Sequence, residues 1–387
     1  MADGSTRTAA WLYAVVLFLI VYGSLYPFRF TDVGATGFVD LVARLDWART
    51  TRSDIAANVL LYLPLGASLA WLLAARLGGP LAILLATLAA ALVAFAIELG
   101  QLYETRRVAS LADLCFNTAG AAAGAIVAML VAAAHQRLRS GALARLLQQP
   151  VAVALLVAWG GHRLAPFAPD LSLAGLTSSV RPLWASNWWV PGATLRHALA
   201  WLVILLISTG IARSGRALVT TAALMAAVLA GRILFAPLEL VPAEIAGMAI
   251  ALLLARPLLA LAAPQAAAAL AATLAATVVV TGLTPFDFRW TGEPLALIPF
   301  SESLTHYRAT NLADMFERCF TAGAMVWLLA RSGMPVLAAT LLGSGLLFGV
   351  ELLQTWLPAQ MADITDPLLA VAAGGLLAVF ESPRRGR

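Results

Sequence analysis

Residues 81–103 read LAILLATLAAALVAFAIELGQLY. No charged side chain occurs before Glu98, so the run approaches the ~20 residues that a helix needs to cross a hydrocarbon layer. In lipid such a segment must be helical, because each backbone N–H and C=O needs a partner within the segment. The run closes on Glu98-x-x-Gln101, a spacing that puts both side chains on one helix face. Segments of the same kind recur along the chain. They make the fold class all-α, a polytopic transmembrane bundle.

Working outward, the apolar periods predict about twelve helices. The first four are Ala9–Phe28, Ile55–Ala75, Leu81–Tyr103 and Leu111–Ala134. Then come Val151–Phe167, Leu195–Ala212, Ala217–Phe235 and Val241–Leu261, and finally Ala266–Pro285, Asp314–Ala330, Pro335–Leu357 and Asp366–Phe380. The first is too long for a secretory h-region and reads as a retained signal anchor. Phe38, Leu41, Val42 and Leu45 form a stripe that predicts a short helix lying in the interface, and 294–307 occupies the corresponding place late in the chain.

Composition agrees. The 387 residues are 61% hydrophobic and 12% charged, against the ~25% charged share of soluble domains. All 25 basic residues are arginine, and the net charge of +5 is spread over short loops; this distribution argues against a nucleic-acid partner. The arginines of short loops such as Arg76, Arg137, Arg213, Arg216 and Arg331 stand almost without acids, which places both termini in the cytoplasm of a bacterial inner membrane. Cys115 and Cys319 lie in apolar segments and suggest no disulfide. No zinc-spaced Cys/His set, phosphate-cradling loop or nucleophile elbow occurs, so neither metal nor cofactor is expected.

The chain also resembles itself. Tyr26-Pro27-Phe28-Arg29 is echoed by Ala165-Pro166-Phe167 and by Thr284-Pro285-Phe286. Glu98-x-x-Gln101 returns as Glu351-x-x-Gln354, Ser110-x-x-Asp113 as Asp363-x-x-Asp366, and Trp71-Leu-Leu-Ala as Trp327-Leu-Leu-Ala. Gly120 is answered by Gly374. In the middle, Arg232 takes the place of Gln101, Glu244 that of Asp113 and His197 that of Asn58. Three parallel four-helix units are therefore expected, at 1–140, 141–262 and 263–387.

The succession Asn58-Val-Leu-Leu-Tyr62-Leu-Pro64-Leu-Gly66, Glu98-x-x-Gln101 and Ser110-x-x-Asp113-x-x-x-Asn117-x-x-Gly120 resembles the VanZ-like family of bacterial membrane proteins. The resemblance covers about residues 26–130. It implies a cell-envelope protein, and the family is named for a protein associated with glycopeptide antibiotic resistance.

Alternating crossings bring the recurring polar residues to one level, the extracytoplasmic end. Glu98 and Asp113 are the candidate acid/base pair. Tyr26, Arg29, Asn58, Gln101, Arg107, Ser110 and Asn117, with Arg289, Glu351, Gln354, Asp363 and Asp366 from the third unit, are candidate ligand-binding residues. Ser110-x-x-Asp113 also reads as a capping box. The carboxylates need partners: Arg106 or Arg107 in the first unit and Arg289 or Arg318 in the third. In the middle, Arg232, Glu239 and Glu244 form a closed ionic set. The reading is a protein that handles an amphiphilic envelope ligand, a membrane lipid or lipid-linked saccharide. The alternatives are a transporter or flippase and a membrane enzyme using Glu98 and Asp113.

Overall fold

In the computed structural model the described residues are 2–32, 34, 37–47, 50–105, 108–137, 145–146, 149–185, 190–212, 215–236, 238–289, 294–300, 309–358 and 362–381. Contacts divide the chain into two compact units, Met1–Arg139 and Ser140–Arg387.

The first unit contains α1 (Ala2–Leu25), α2 (Phe38–Ala43), α3 (Arg52–Leu77), α4 (Gly79–Gln101) and α5 (Leu111–Arg137). Helix α3 packs on α5, α4 and α1, and α4 on α5. The decisive segment shows how. Ala82, Ala86, Ala90 and Ala94 are buried at four-residue steps, and the next step is Glu98. Leu81, Leu84, Leu88 and Leu92 face outward. Small residues inside and leucines outside suit helices that meet closely in lipid, where burying leucine against leucine gains little over contact with acyl chains. The register of the alanine stripe thereby aims Glu98 at the helix interface.

Helices α3 and α5 approach to backbone contact. A Cβ on Gly120 would meet the Val59 carbonyl at 2.3 Å, and one on Gly124 would meet the Leu63 carbonyl at 1.9 Å. Both numbers rise together, so the two helices run in the same direction. Gly66 returns the contact, its Cβ site 1.9 Å from the Ala121 carbonyl.

The second unit contains α6 (Pro150–Leu164), α7 (Leu173–Val180), α8 (Pro182–Ala185), α9 (Pro191–Ile211), α10 (Ala217–Leu234), α11 (Pro242–Ala260), α12 (Ala263–Leu283), α13 (Ala309–Arg331), α14 (Val336–Gln354) and α15 (Thr365–Glu381). Its core includes Trp159 against Trp201, ring centroids 4.3 Å apart, and Met325, Trp327 and Leu328. Helix α9 packs on α11 and α10, and α13 packs on α6, α12, α14 and α15. The sequence reading expects a division near residue 262, but within Ser140–Arg387 α6 lies against α13. A unit of sequence need not be a separate unit of packing.

Helix ends differ from the expectations in one systematic way. The first, fifth and ninth predicted helices stop at Leu25, Leu164 and Leu283, ahead of the proline rather than beyond it. The residue before proline is sterically biased away from helix. Each X–Pro bond is cis, and the following Phe28, Phe167 and Phe286 have φ of 62°, 57° and 65°. The expected interfacial helix is α2, with Phe38 and Val39 exposed and Leu45 buried. Helix α7 was not expected; Ser172 caps it by accepting from the Gly175 N–H. Of 294–307, only 294–300 are described, and they form no helix.

Among the described residues eight helices are long and apolar enough to cross a membrane, α3, α4, α5, α9, α10, α11, α12 and α14. Among the described residues α6 and α15 are shorter, as is the apolar stretch Leu12–Leu25 of α1. Helix α13 carries Asp314, Glu317, Arg318 and Arg331.

Candidate functional site

In the first unit the polar residues converge at one end of the bundle. Glu98, only 2% exposed at the end of α4, accepts the Ser110 backbone N–H on Oε2 at 2.8 Å. Ser110 caps α5 by accepting the Ala112 N–H on its hydroxyl at 3.1 Å. This decides between the two readings of Ser110-x-x-Asp113. A capping box would spend Asp113 on the Ser110 N–H, but that donor goes to Glu98. Asp113 instead accepts the Asn58 amide at 2.7 Å, which ties α3 to α5. The reciprocal box is made elsewhere, by Thr51 and Asp54 at the start of α3.

Two further side chains belong to this cluster. Tyr62 lies one turn beyond Asn58 on α3, is 1% exposed, and sits within electrostatic reach of Glu98. Asn117 lies one turn beyond Asp113 on α5 and is 5% exposed. Neither the Tyr62 hydroxyl nor the Asn117 Oδ1 has a hydrogen-bond partner among the described residues. Sequence reading quoted Tyr62 within a motif without giving it a role. The signal was its spacing of four from Asn58, which shares a face.

The other candidates fall differently. Gln101 donates to the Ser24 carbonyl at 3.1 Å, closing the end of α1 rather than facing the acids. Tyr26 stacks among Tyr22 and Phe28. Arg29 is exposed. Arg106 and Arg107 lie outside the described residues.

In the second unit Glu351 ends α14 as Glu98 ends α4, and its Oε2 accepts the Asp363 N–H at 2.9 Å. Gln354 donates to the Gly282 carbonyl at 2.9 Å. Arg318, on α13, bridges Asp363 at 3.2 Å and Asp366 at 3.3 Å. The choice left open between two arginines falls to Arg318. Arg289 pairs with Asp287 in an exposed contact, away from these acids. Arg289→Ala is therefore expected to change unfolding free energy by less than about 0.5 kcal/mol, whereas Arg318→Ala, which strands buried Asp363, costs about 1–3 kcal/mol. Thermal melts of the two variants in detergent compare them directly.

The middle set also needs correcting. Glu244, fully buried at the start of α11, is held by Arg163 and by Arg232. Glu239 contributes its backbone carbonyl, which accepts from Arg232. Arg163 was missed; the clue was a charge inside the apolar run Val151–Phe167, a costly placement that needs a partner. Arg232, in the place of Gln101, donates Nη1 to the Arg163 carbonyl at 3.1 Å. The set holds two buried guanidiniums on one carboxylate. Beside it, His162 lies 3.1 Å from the Ala313 carbonyl and 3.6 Å from Glu317.

One glycine pairing is out of register. The shift that carries Glu98 to Glu351 and Asp113 to Asp366 carries Gly120 to Ala373. Gly374 lies one residue on, turned by about 100° on a helix, and meets Thr340 of α14 rather than α13.

Backbone bonds recur at matching places. Thr31 N–H donates to Tyr103 O, Asp170 N–H to Leu234 O, and Arg289 N–H to Trp356 O. The two-residue pairing Ala168–Pro169 with Phe235–Ala236 stands where Phe30 bridges Glu104.

Residues 10–132 match the family model described as VanZ/LLP1. Residues 10–132 are VanZ-like. The match takes in the first helix and all of the Glu98, Asn58 and Asp113 cluster, so the VanZ-like unit and the first compact unit are the same stretch of chain. No curated protein and no solved structure matches the chain. With its several apolar helices, the chain that carries this VanZ-like stretch is a multi-pass membrane protein. Among the described residues no three His, Cys, Asp or Glu side chains group as a metal site would require.

Proposed function

We propose that the chain is three VanZ-like units in tandem, crossing a bacterial inner membrane twelve times with both termini cytoplasmic, and that its first unit binds an amphiphilic envelope ligand at the extracytoplasmic end. The observation that carries this is the Glu98, Asp113 and Asn58 cluster. It gathers buried Glu98 and half-buried Asn58 and Asp113 from three helices at one end. Charges in such a position are costly and face an interior or a wet cavity. The triplication is supported by the recurring bonds: Glu98 to Ser110 as Glu351 to Asp363, and Gln101 to Ser24 as Gln354 to Gly282 and Arg232 to Arg163. The outward orientation rests on the short-loop arginines.

A lipid or a lipid-linked saccharide is the ligand class, with a link to glycopeptide resistance as its physiological setting. Binding is favoured over transport because the cluster gathers at one end, whereas alternating-access sites lie near the midplane. An enzyme reading would use Glu98 and Asp113 as acid and base.

Two measurements test the proposal. In a background with Cys115 and Cys319 replaced by alanine, Val108→Cys is exposed beside the cluster and should react with a membrane-impermeant maleimide added outside intact spheroplasts. Reaction only after permeabilisation overturns the orientation. Lipid that co-purifies with the wild type should be lost from Glu98→Ala and Asp113→Ala proteins that still express; full retention by both variants overturns the site.

A further inference from the structure

The three places equivalent to Asp113 are neutralised differently. Asp366 is met by the chain's own Arg318. Glu244 is met by Arg163 and Arg232. Asp113 is met only by the uncharged amide of Asn58, and among the described residues no cation contacts either Asp113 or Glu98. Glu98 and Asp113 lie within electrostatic reach of one another, so two acids share one buried neighbourhood.

The unsatisfied groups beside them point the same way. The Asn117 Oδ1 is an acceptor without a donor, and it is buried. The Tyr62 oxygen, also buried and unpartnered among the described residues, brings one donor and further acceptor capacity. The cluster is therefore rich in acceptors, poor in donors and negative. Among the described residues it lacks a group with several N–H donors and a positive charge. In register with Trp71 and Trp327, Tyr62 stands where Arg318 stands in the third unit. Where the chain has an arginine the acids are met by a cation; where it has a tyrosine, among the described residues, they are met only by neutral donors.

We infer that the first unit's cluster binds the primary ammonium of a ligand headgroup, with Glu98, Asp113 and the Asn117 carbonyl as its acceptors. This rests on the binding reading above and narrows it to an amine-bearing headgroup. An anionic headgroup alone would bring acceptors to a site that already has too many. A primary ammonium donates three hydrogen bonds, whereas a quaternary ammonium donates none. Half-buried Asn58 and Asp113 form the open side, and Glu98 lies deeper.

The test uses the full-length chain in detergent and native mass spectrometry. The probes are dihexanoyl phosphatidylethanolamine, its phosphatidylcholine and phosphatidylglycerol counterparts, and water-soluble glycerophosphoethanolamine. The expected result is at least about tenfold preference for the ethanolamine lipid over the other two lipids, lost in Glu98→Gln/Asp113→Asn. Binding of glycerophosphoethanolamine at equal strength also supports the ammonium and assigns the source to a soluble headgroup; binding of the lipid alone assigns it to the membrane. Equal retention of all three lipids overturns the ammonium while leaving the lipid-binding reading intact. Retention of no probe overturns both.

Tyr62→Arg is the second variant. It supplies the guanidinium that Arg318 supplies in the third unit, so it should fold at least as stably as the wild type and abolish the ethanolamine preference. Should Tyr62→Arg keep the full tenfold preference, the inference is wrong even if the double variant does not fold.

Discussion

Gly124→Leu should prevent the first unit from assembling. The Cβ alone would stand 1.9 Å from the Leu63 carbonyl oxygen, and the obstacle is backbone, which cannot swing aside as a side-chain tip does. Overpacking of a well-filled interface costs about 1–3 kcal/mol and sometimes more. Here relief would require α3 and α5 to separate, which also breaks the Asn58–Asp113 bond and the glycine contacts at Gly66 and Gly120. The expected loss lies at or above the top of that range. Gly345→Ala on α14, where nothing lies within 4 Å of the added carbon, should be neutral or slightly stabilising, since alanine favours helix by up to about 1 kcal/mol over glycine. Size-exclusion recovery and melting in detergent report both. A Gly124→Leu protein that melts with the wild type would mean that the two helices do not meet in this way.

The second large effect is Glu244→Ala. The side chain is buried between two guanidiniums, and both arginines are themselves nearly sealed from solvent. Removing one partner of a buried ion pair costs about 3–5 kcal/mol, because the remaining charge is stranded. Two stranded cations put this variant at the upper end, measured by chemical or thermal unfolding of the purified protein. Replacing the set together should behave otherwise. Arg163→Met, Arg232→Gln and Glu244→Leu remove every charge, and glutamine at 232 can still reach the carbonyl of residue 163 as Gln101 reaches Ser24. That triple variant is expected to recover most of the lost stability, since apolar replacements of a buried ionic set are often neutral or better. If the triple variant is as unstable as Glu244→Ala, the cost does not come from uncompensated charge.

The helices were legible because lipid makes one demand on every crossing, and each predicted segment is a helix to within a few residues, apart from the earlier start of α1 at Ala2, the earlier start of α13 at Ala309 and the overrun into the proline corners. The corners were overrun because the apolar character continues through them to Phe28, Phe167 and Phe286. Sequence does not display the left-handed backbone of the phenylalanines there. The alignment of Glu98 with Glu351 was legible from spacing, and the same spacing gives matching backbone bonds. Arg163 was not, because its partner Glu244 is 81 residues away and no local pattern joins them. Gly374 was mispaired by one position, an error that a strand or loop could tolerate but that a helix turns into a different neighbour. Tyr62 was passed over because an aromatic in an apolar run looks like filler until its hydroxyl is found without a partner.

The bond from the side chain at position 101, 232 or 354 ends on a main-chain oxygen, and such an oxygen makes no distinction between an amide and a guanidinium. A helix end can therefore carry a permanent charge at this joint without loosening the joint. Once charged, it would attract an acid of its own and close over it. One kind of fastener thus serves neutral helix ends at 101 and 354 and a charged, braced one at 232.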